Sequence, residues 1–312
     1  MPFAHIRLHP WSGASLVFNE PCPGAIIESA LSCGRSPGRE VLSASTWGVG
    51  EQLDCVLRRY PAHRRILIGL GGSLSVDAGA GALQALGASL LDRHGRPIAP
   101  GGKGLLSLHR LELDAALRRL RGVELCALAD VDNPLLGPSG ARMYMAQKGA
   151  TASEEAVLEE GLQRFAELAK SQCGVELGAE PGTGAAGGLG AAMLLLGARL
   201  CSGAESVMSL LDAEQRIAAA QRVLSAEGSL DVQTGHGKVL AVLAKRCAVV
   251  GRPLDVFVGR LCVDRAALDA LGIRHAVDLK RGAPLDTPAQ RAEAMAATAE
   301  RLEEAVVQSS WG

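Results

Sequence analysis

The sequence predicts an α/β protein of two domains, and three observations carry that expectation. The first is length: 312 residues, at roughly 150 per domain, leave room for two cores. The second is composition, because hydrophobic residues make up 48%, glycine numbers 38 and Phe, Trp and Tyr together reach only 3%. Closely packed helices and sheets with many backbone turns suit that balance better than an aromatic-rich β-sandwich. The third is order along the chain, where short aliphatic runs lead through Gly-rich or polar loops into helical patterns. Charge adds an exclusion: 32 Lys plus Arg against 33 Asp plus Glu give a net charge of −1. No global positive field draws such a chain to nucleic acid or to an anionic membrane, so any cationic site is local.

Leu16-Val17-Phe18 and Ala25 to Ile27 flank a Pro-Cys-Pro-Gly turn and read as short β segments. Apolar or small residues at spacings of three and four predict a helix over Thr46 to Leu57. The run Ile66-Leu67-Ile68 reads as a buried strand, followed by a Gly-Gly loop and a small-residue helix around Ala80 to Leu91. Val123 to Ala129 is a second buried strand, ending on Asp130-Val131-Asp132-Asn133. Residues 154 to 170 form an amphipathic helix with Leu158, Leu162, Phe165 and Ala169 on one stripe, and Thr151 and Glu154 placed as a capping box. A third unit runs from the strand at Arg222-Val223-Leu224 through a polar loop to the helix Val239 to Arg246, and Leu254 to Val258 is the next strand. One long helix closes the chain, with Thr287 as N-cap, Pro288 at N1, Gln290 at N3, and Ala292, Met295, Ala299, Leu302 and Val306 inward.

The eight cysteines lack C-x-x-C spacing and the density of a secreted scaffold, and are expected to be reduced and mostly buried. Met1 to Ser12 lacks the apolar stretch of a signal peptide. Pro181 to Ala198 carries no charge, but only Met193 to Leu196 is strongly apolar, which reads as a Gly-rich loop feeding a buried helix and not as a membrane span. A cytoplasmic location is the expectation.

Three common signatures fail on context. Gly182-Thr183-Gly184-Ala185-Ala186-Gly187 fits G-x-G-x-x-G but follows Glu180-Pro181 instead of a strand. Gly34-Arg35-Ser36-Pro37-Gly38 fits G-x-S-x-G, yet Pro37 has no N–H where a hydrolase oxyanion hole needs one. Gly237-Lys238 is followed by Val239, so there is no Walker A loop. What remains is a set of loops, each with a carboxylate or a Lys. The loop Gly71 to Gly79, holding Gly72, Ser73, Ser75 and Asp77, follows a strand and opens a helix, where backbone N–H groups and the helix dipole favour an anion such as phosphate. The same spacing equally fits a tight turn with Ser or Asp as N-cap. Asp130 and Asp132 are spaced to hold Mg²⁺ directly or through water, or to sit in a solvated turn. Lys148 stands in a Gly-flanked turn, and Glu227, Asp231, His236 and Lys238 crowd one loop. Together they suit phosphoryl transfer, in which cations neutralise phosphate charge and a carboxylate orients the attacking hydroxyl.

At these residues the sequence resembles the two-domain bacterial glycerate kinases, which transfer the γ-phosphate of ATP to D-glycerate. Six ordered blocks carry the resemblance. They are Gly69-Leu70-Gly71-Gly72-Ser73 with Asp77 and Gly79-Ala80-Gly81; Gln84 to Ala88; Asp130 to Pro138; Gln147-Lys148-Gly149-Ala150; Pro181 to Gly190; and Glu227-Gly228, Leu230-Asp231 and His236-Gly237-Lys238. The resemblance implies a two-domain α/β fold: an N-terminal β segment at 1–39, a Gly-rich α/β domain at 40–210 and a Rossmann-like part at 211–312. It implies ATP and Mg²⁺ as cofactors and D-glycerate as substrate. Residue chemistry then assigns loop 71–79 to the ATP phosphates, with Gly184 and Gly187 beside it. Asp130 or Asp132 serves Mg²⁺, Lys148 and Lys238 neutralise charge, Glu227 or Asp231 orients the hydroxyl, and His236 joins the catalytic loop. Two family loops, Asp-Ser-Phe-Lys and Asp-Gly-Gly-Glu-Gly-Thr, do not occur here, which implies a chain starting inside the family's domain arrangement, with an unpaired sheet edge and a tendency to form homo-oligomers. The family's usual Asn and Arg read Val76 and Ser229. Those losses keep a second expectation in play: a catalytically impaired relative that binds nucleotide or a phosphorylated acid without turnover.

Overall fold

The computed structural model describes residues 15–18 (as backbone), 24–35, 38, 40–230, 239–280 and 287–308. The chain divides into two compact units, residues 1–203 and 204–312.

The first unit is built on a five-stranded sheet, in the order β1 (Ser15–Phe18), β2 (Gly24–Glu28), β3 (Arg65–Gly69), β6 (Glu124–Leu128) and β7 (Arg199–Cys201). Strand β1 runs antiparallel to β2, and the other pairs are parallel. Ile66, Leu67 and Ile68 have no exposed surface, as expected of a parallel strand covered on both faces. One cover is the helix Trp47–Arg59, which buries Val49, Leu53 and Val56 at spacings of three and four. The helix Ala152–Cys173, whose buried stripe includes Leu158, Leu162, Phe165 and Ala169, packs instead on the 3₁₀ segment Gly102–Ser107 and the strand Arg110–Glu112. Its N-terminus is the reciprocal box read from the sequence: Thr151 N–H donates to Glu154 Oε2 at 2.8 Å, and Glu154 N–H to Thr151 Oγ1 at 3.4 Å.

The helix expected over Ala80 to Leu91 is shorter, Ala80–Ala85. Gly87, at φ 94°, turns the chain, and Ser89–Leu91 becomes β4, paired antiparallel with β5 (Arg110–Glu112) so that Leu90 opposes Leu111. The helical spacing of small residues continued past a glycine that only a turn required.

The second unit holds a parallel three-stranded sheet, β8 (Val223–Glu227), β9 (Leu254–Val258) and β10 (His275–Asp278), with β9 central. Every residue of β9 is buried, and among the described residues β8 pairs only with β9. At the start of β9, buried Asp255 accepts from Arg222 at 2.8 Å and lies 3.1 Å from His275 Nδ1. The C-terminal segment carries the expected Thr287–Gln290 capping box and Pro288, but it forms two helices, Pro288–Ala296 and Thr298–Gln308. The break at Ala297 resets the helical phase. Leu302 and Val306 pack on Phe257 and Leu279 as expected, whereas Ala292, Met295 and Ala299 are exposed, Met295 by 77%.

Cys33, Cys126 and Cys247 are buried and Cys55 and Cys262 exposed, and all seven described cysteines are free thiols. Among the described residues, no helix is long and apolar enough to cross a membrane.

Candidate active site

The first unit places its Gly-rich loops at the carboxyl ends of β3 and β6, where open parallel sheets present ligands. Leu70 N–H donates to Leu128 O at 3.1 Å and anchors the loop that follows β3. Gly71 and Gly72 are exposed, with Gly72 at φ 73°, and Ser73 turns inward, bridged to Gly34 in antiparallel fashion. Lys148 reaches this loop from a 3₁₀ turn, Ala146–Lys148, closed by Gly149 at φ 93°. Its Nζ donates to Ser75 O at 2.7 Å and to Ser73 Oγ at 3.2 Å. Burial pulls this ammonium down to about 8. Cys33 and Asp77 act to raise it, and the neighbouring Arg35 cation adds to the lowering.

A second Gly-rich segment locks this loop in place. Ala186, Gly187 and Gly188 take left-handed backbone conformations in succession, at φ 54°, 68° and 94°. Ala78 N–H donates to Gly187 O at 3.1 Å. A Cβ on Gly187 would lie 2.1 Å from Ser75 O, so the close approach of the two chains requires glycine there. Between them opens a cleft of about 530 Å³, lined among others by Gly71, Gly72, Ser73, Asp130, Lys148 and Gly187.

Not all candidate residues line this cleft. Lys148, Ser73, Gly71, Gly72, Gly187 and Asp130 all line this cleft. Asp130 is exposed at the end of β6, and its Oδ1 accepts from Gly203 N–H at 2.9 Å. Asp132 is exposed and is not among the lining residues. Asp77 has no exposed surface. Its Oδ2 accepts from Thr46 N–H at 2.8 Å, Thr46 Oγ1 at 2.9 Å and Gly81 N–H at 3.2 Å, and its Oδ1 from Gly79 N–H at 3.1 Å. Burial raises its pKa against those hydrogen bonds. It therefore organises the loop and the helix start from within. Ser75 is also buried and offers its carbonyl to Lys148, while its hydroxyl has no hydrogen-bond partner among the described residues. Gly184 is not among the lining residues; its N–H donates to Asn133 O at 2.9 Å, and a Cβ on it would lie 2.1 Å from Pro134 O.

Glu227 ends β8 and lines a cleft of about 540 Å³ in the second unit, with Phe257, Leu279, Lys280, Met295 and Arg301 among its walls. Asp231, His236 and Lys238 fall outside the described residues. Among the described residues no group of three or more His, Cys, Asp or Glu is placed to hold a metal ion. Asp130 fits a Mg²⁺ shared with phosphate oxygens, since that ion needs only one or two carboxylates beside them.

Sequence reasoning overlooked Arg35. It lines the first cleft and its Nη2 donates to Gln147 O. Its only sequence signal was the rejected G-x-S-x-G match, which pointed to a serine and not to the arginine inside it.

Comparison with known proteins identifies the family. The model of the glycerate kinase family matches residues 10–309. A glycerate kinase of Bacillus subtilis (strain 168) is 37% identical over 269 residues, 84% of this chain and 70% of the relative. One from Halalkalibacterium halodurans is 36% identical over 294 residues, 92% of this chain and 76% of the relative. Glycerate 2-kinase of Escherichia coli (strain K12) is 36% identical over 255 residues, covering 80% of this chain and 66% of the relative. A crystal structure assigned as glycerate kinase 2 from Salmonella typhimurium LT2 superposes with a TM-score of 0.72 at 31% identity, covering 96% of this chain and 80% of that one. With a family model spanning nearly the whole chain and the Gly-rich loops meeting around Lys148, the chain belongs to the glycerate kinase family.

Proposed function

We propose that this protein is a cytoplasmic kinase that transfers the γ-phosphate of ATP to D-glycerate. The observation that carries the reading is Lys148, a half-buried cation held by Ser73 and Ser75 over the exposed backbone of Gly71 and Gly72. A compact ammonium beside a Gly-rich turn suits a polyphosphate, whose charge in the transition state is stabilised by positioned cations and N–H groups. Ser73 and the Gly71–Gly72 backbone cradle the phosphate oxygens, and Lys148 neutralises them. Asp130 is the residue that would hold Mg²⁺, which would supply Lewis-acid neutralisation of the phosphates. Asp77 keeps the loop in shape, and Gly187 sets its depth. Glu227 or Asp231 accepts the hydrogen bond of the attacking hydroxyl, with Lys238 and His236 completing that loop.

The test is direct: purified protein with ATP, Mg²⁺ and D-glycerate yields phosphoglycerate, and the product is lost in Lys148→Ala and in Asp231→Ala. ATP binding without turnover favours instead the impaired relative, to which Ser229 in place of the family's arginine points. The other departure weighs less, because Val76 has no exposed surface and packs in the core of the first unit.

A further inference from the structure

Arg35 holds a position that the phosphate-loop reading does not use. Gly34, its chain neighbour, is bridged to Ser73, one of the two groups that hold Lys148. The Arg35 Nη2 donates to the carbonyl of Gln147, the residue before Lys148. Both ends of the short path from Arg35 to the ammonium are thus tied by hydrogen bonds. Two cations face one cleft, and Arg35 acts to lower the pKa of Lys148. Among the described residues, neither forms an ion pair with a carboxylate. Buried Asp77 and Cys33 act on Lys148 from within the protein, but on the cleft side the two like charges repel, and an anion between them removes that repulsion. One guanidinium nitrogen is anchored to Gln147, and among the described residues the rest of the planar fork has no other hydrogen-bond partner and can offer two parallel bonds to an oxyanion.

We propose that Arg35 and Lys148 form a clamp for an oxyanion of the bound substrates, with Arg35 as its outer, exposed arm. The assignment rests on the phosphotransfer reading for the identity of those substrates, and the oxyanion is either a phosphate of ATP or the carboxylate of glycerate. Calorimetric titration of the full chain with inorganic pyrophosphate, ATP and D-glycerate separately distinguishes the two sources.

The expected result is that Arg35→Gln weakens at least one of these ligands by roughly 10-fold or more, the size of a lost charge-assisted hydrogen bond. Arg35→Lys restores part of the loss, because it keeps the charge and loses the fork. Weakened pyrophosphate and ATP assign the clamp to phosphate, and weakened D-glycerate assigns it to the carboxylate. Arg35 is exposed, so both variants should melt as the parent does. Unchanged affinity for all three ligands in Arg35→Gln overturns the clamp, even if the parent turns over ATP and glycerate. Arg35-dependent anion binding by a parent that shows no turnover retains the clamp and removes the kinase reading. A parent that binds none of the three overturns both.

Discussion

The two clefts lie at equivalent places, the carboxyl ends of parallel strands, and yet they are built from opposite materials. In the first unit, backbone does the shaping: two Gly-rich segments approach until Gly187 meets Ser75 O, and a single ammonium projects over the loop. In the second, side chains do it, with Phe257, Leu279 and Met295 as apolar walls and Glu227, Lys280 and Arg301 as charged groups. The contrast teaches that position in an α/β sheet decides where a ligand can sit, while the local chain decides which chemistry is welcome. Closely packed backbone with exposed N–H groups suits a compact polyanion. Apolar walls suit a ligand with a greasy face.

The largest effect should come from removing the cation of the first cleft. Lys148→Met is expected to lower kcat roughly 1,000-fold or more, on the scale of losing a phosphate-stabilising cation. Met295→Ser, at the rim of the second cleft, should leave kcat within about twofold, since the side chain is exposed. Steady-state assays of both variants check the pair.

Two aspartates sharpen the comparison within the first unit. Asp77→Ala strands the buried donors of Thr46, Gly79 and Gly81, and is expected to cost about 3 kcal/mol or more in denaturant unfolding. Asp130→Asn should leave unfolding nearly unchanged and reduce activity, with the loss partly recovered at high Mg²⁺. If the two variants exchanged these behaviours, the assignment of one to scaffold and the other to chemistry would fail.

Glycine substitution compares the clefts directly. Gly187→Ala is expected to cost about 2–4 kcal/mol, from the left-handed backbone and the overlap with Ser75 O. At Gly228, in the second cleft, a Cβ meets nothing within 4 Å. Gly228→Ala should therefore stay within about 1 kcal/mol of the parent, or gain stability by restricting the unfolded chain. Melting temperatures of the two proteins measure the difference.

The last comparison is the pH response, and its two parts have opposite signs. Lys148 is held down to about 8 in the folded protein, whereas in the unfolded chain it titrates near the ordinary lysine value of about 10.4. Above pH 8 the folded state gives up this proton while the unfolded state keeps it, so the Lys148 contribution to stability rises with pH through that window. Activity moves the other way, because the neutral amine no longer attracts phosphate. Replacing Lys148 by Met should flatten this part of the stability profile.

Much of this was legible in the sequence where a residue acts through its own local geometry. Thr151 with Glu154, and Thr287 with Gln290 and Pro288, each mark a helix start through bonds spanning three residues, and both boxes form. The aliphatic runs at 66–68 and 254–258 became buried strands for a similar reason. The Gly-rich loops were legible as loops, and Lys148 as a cation near one of them. Spacing alone did not reveal which carboxylates face inward. Asp77 and Asp130 both follow glycine or strand signals, but only long-range donors such as Thr46 distinguish them. Arg35 was hidden because its role depends on Gln147, 112 positions away. Met295 was misplaced because a break at Ala297 cannot be read from a run of good helix formers.

The central claim is that a polyphosphate binds against Lys148, and the titration of its side-chain amine tests this most directly. With the lysine ammonium followed by NMR and assigned through Lys148→Met, the free protein should show it titrating near 8. Saturating ATP should move that midpoint upward, because an adjacent anion favours the charged form. A midpoint that stays in place while ATP is bound would contradict the account.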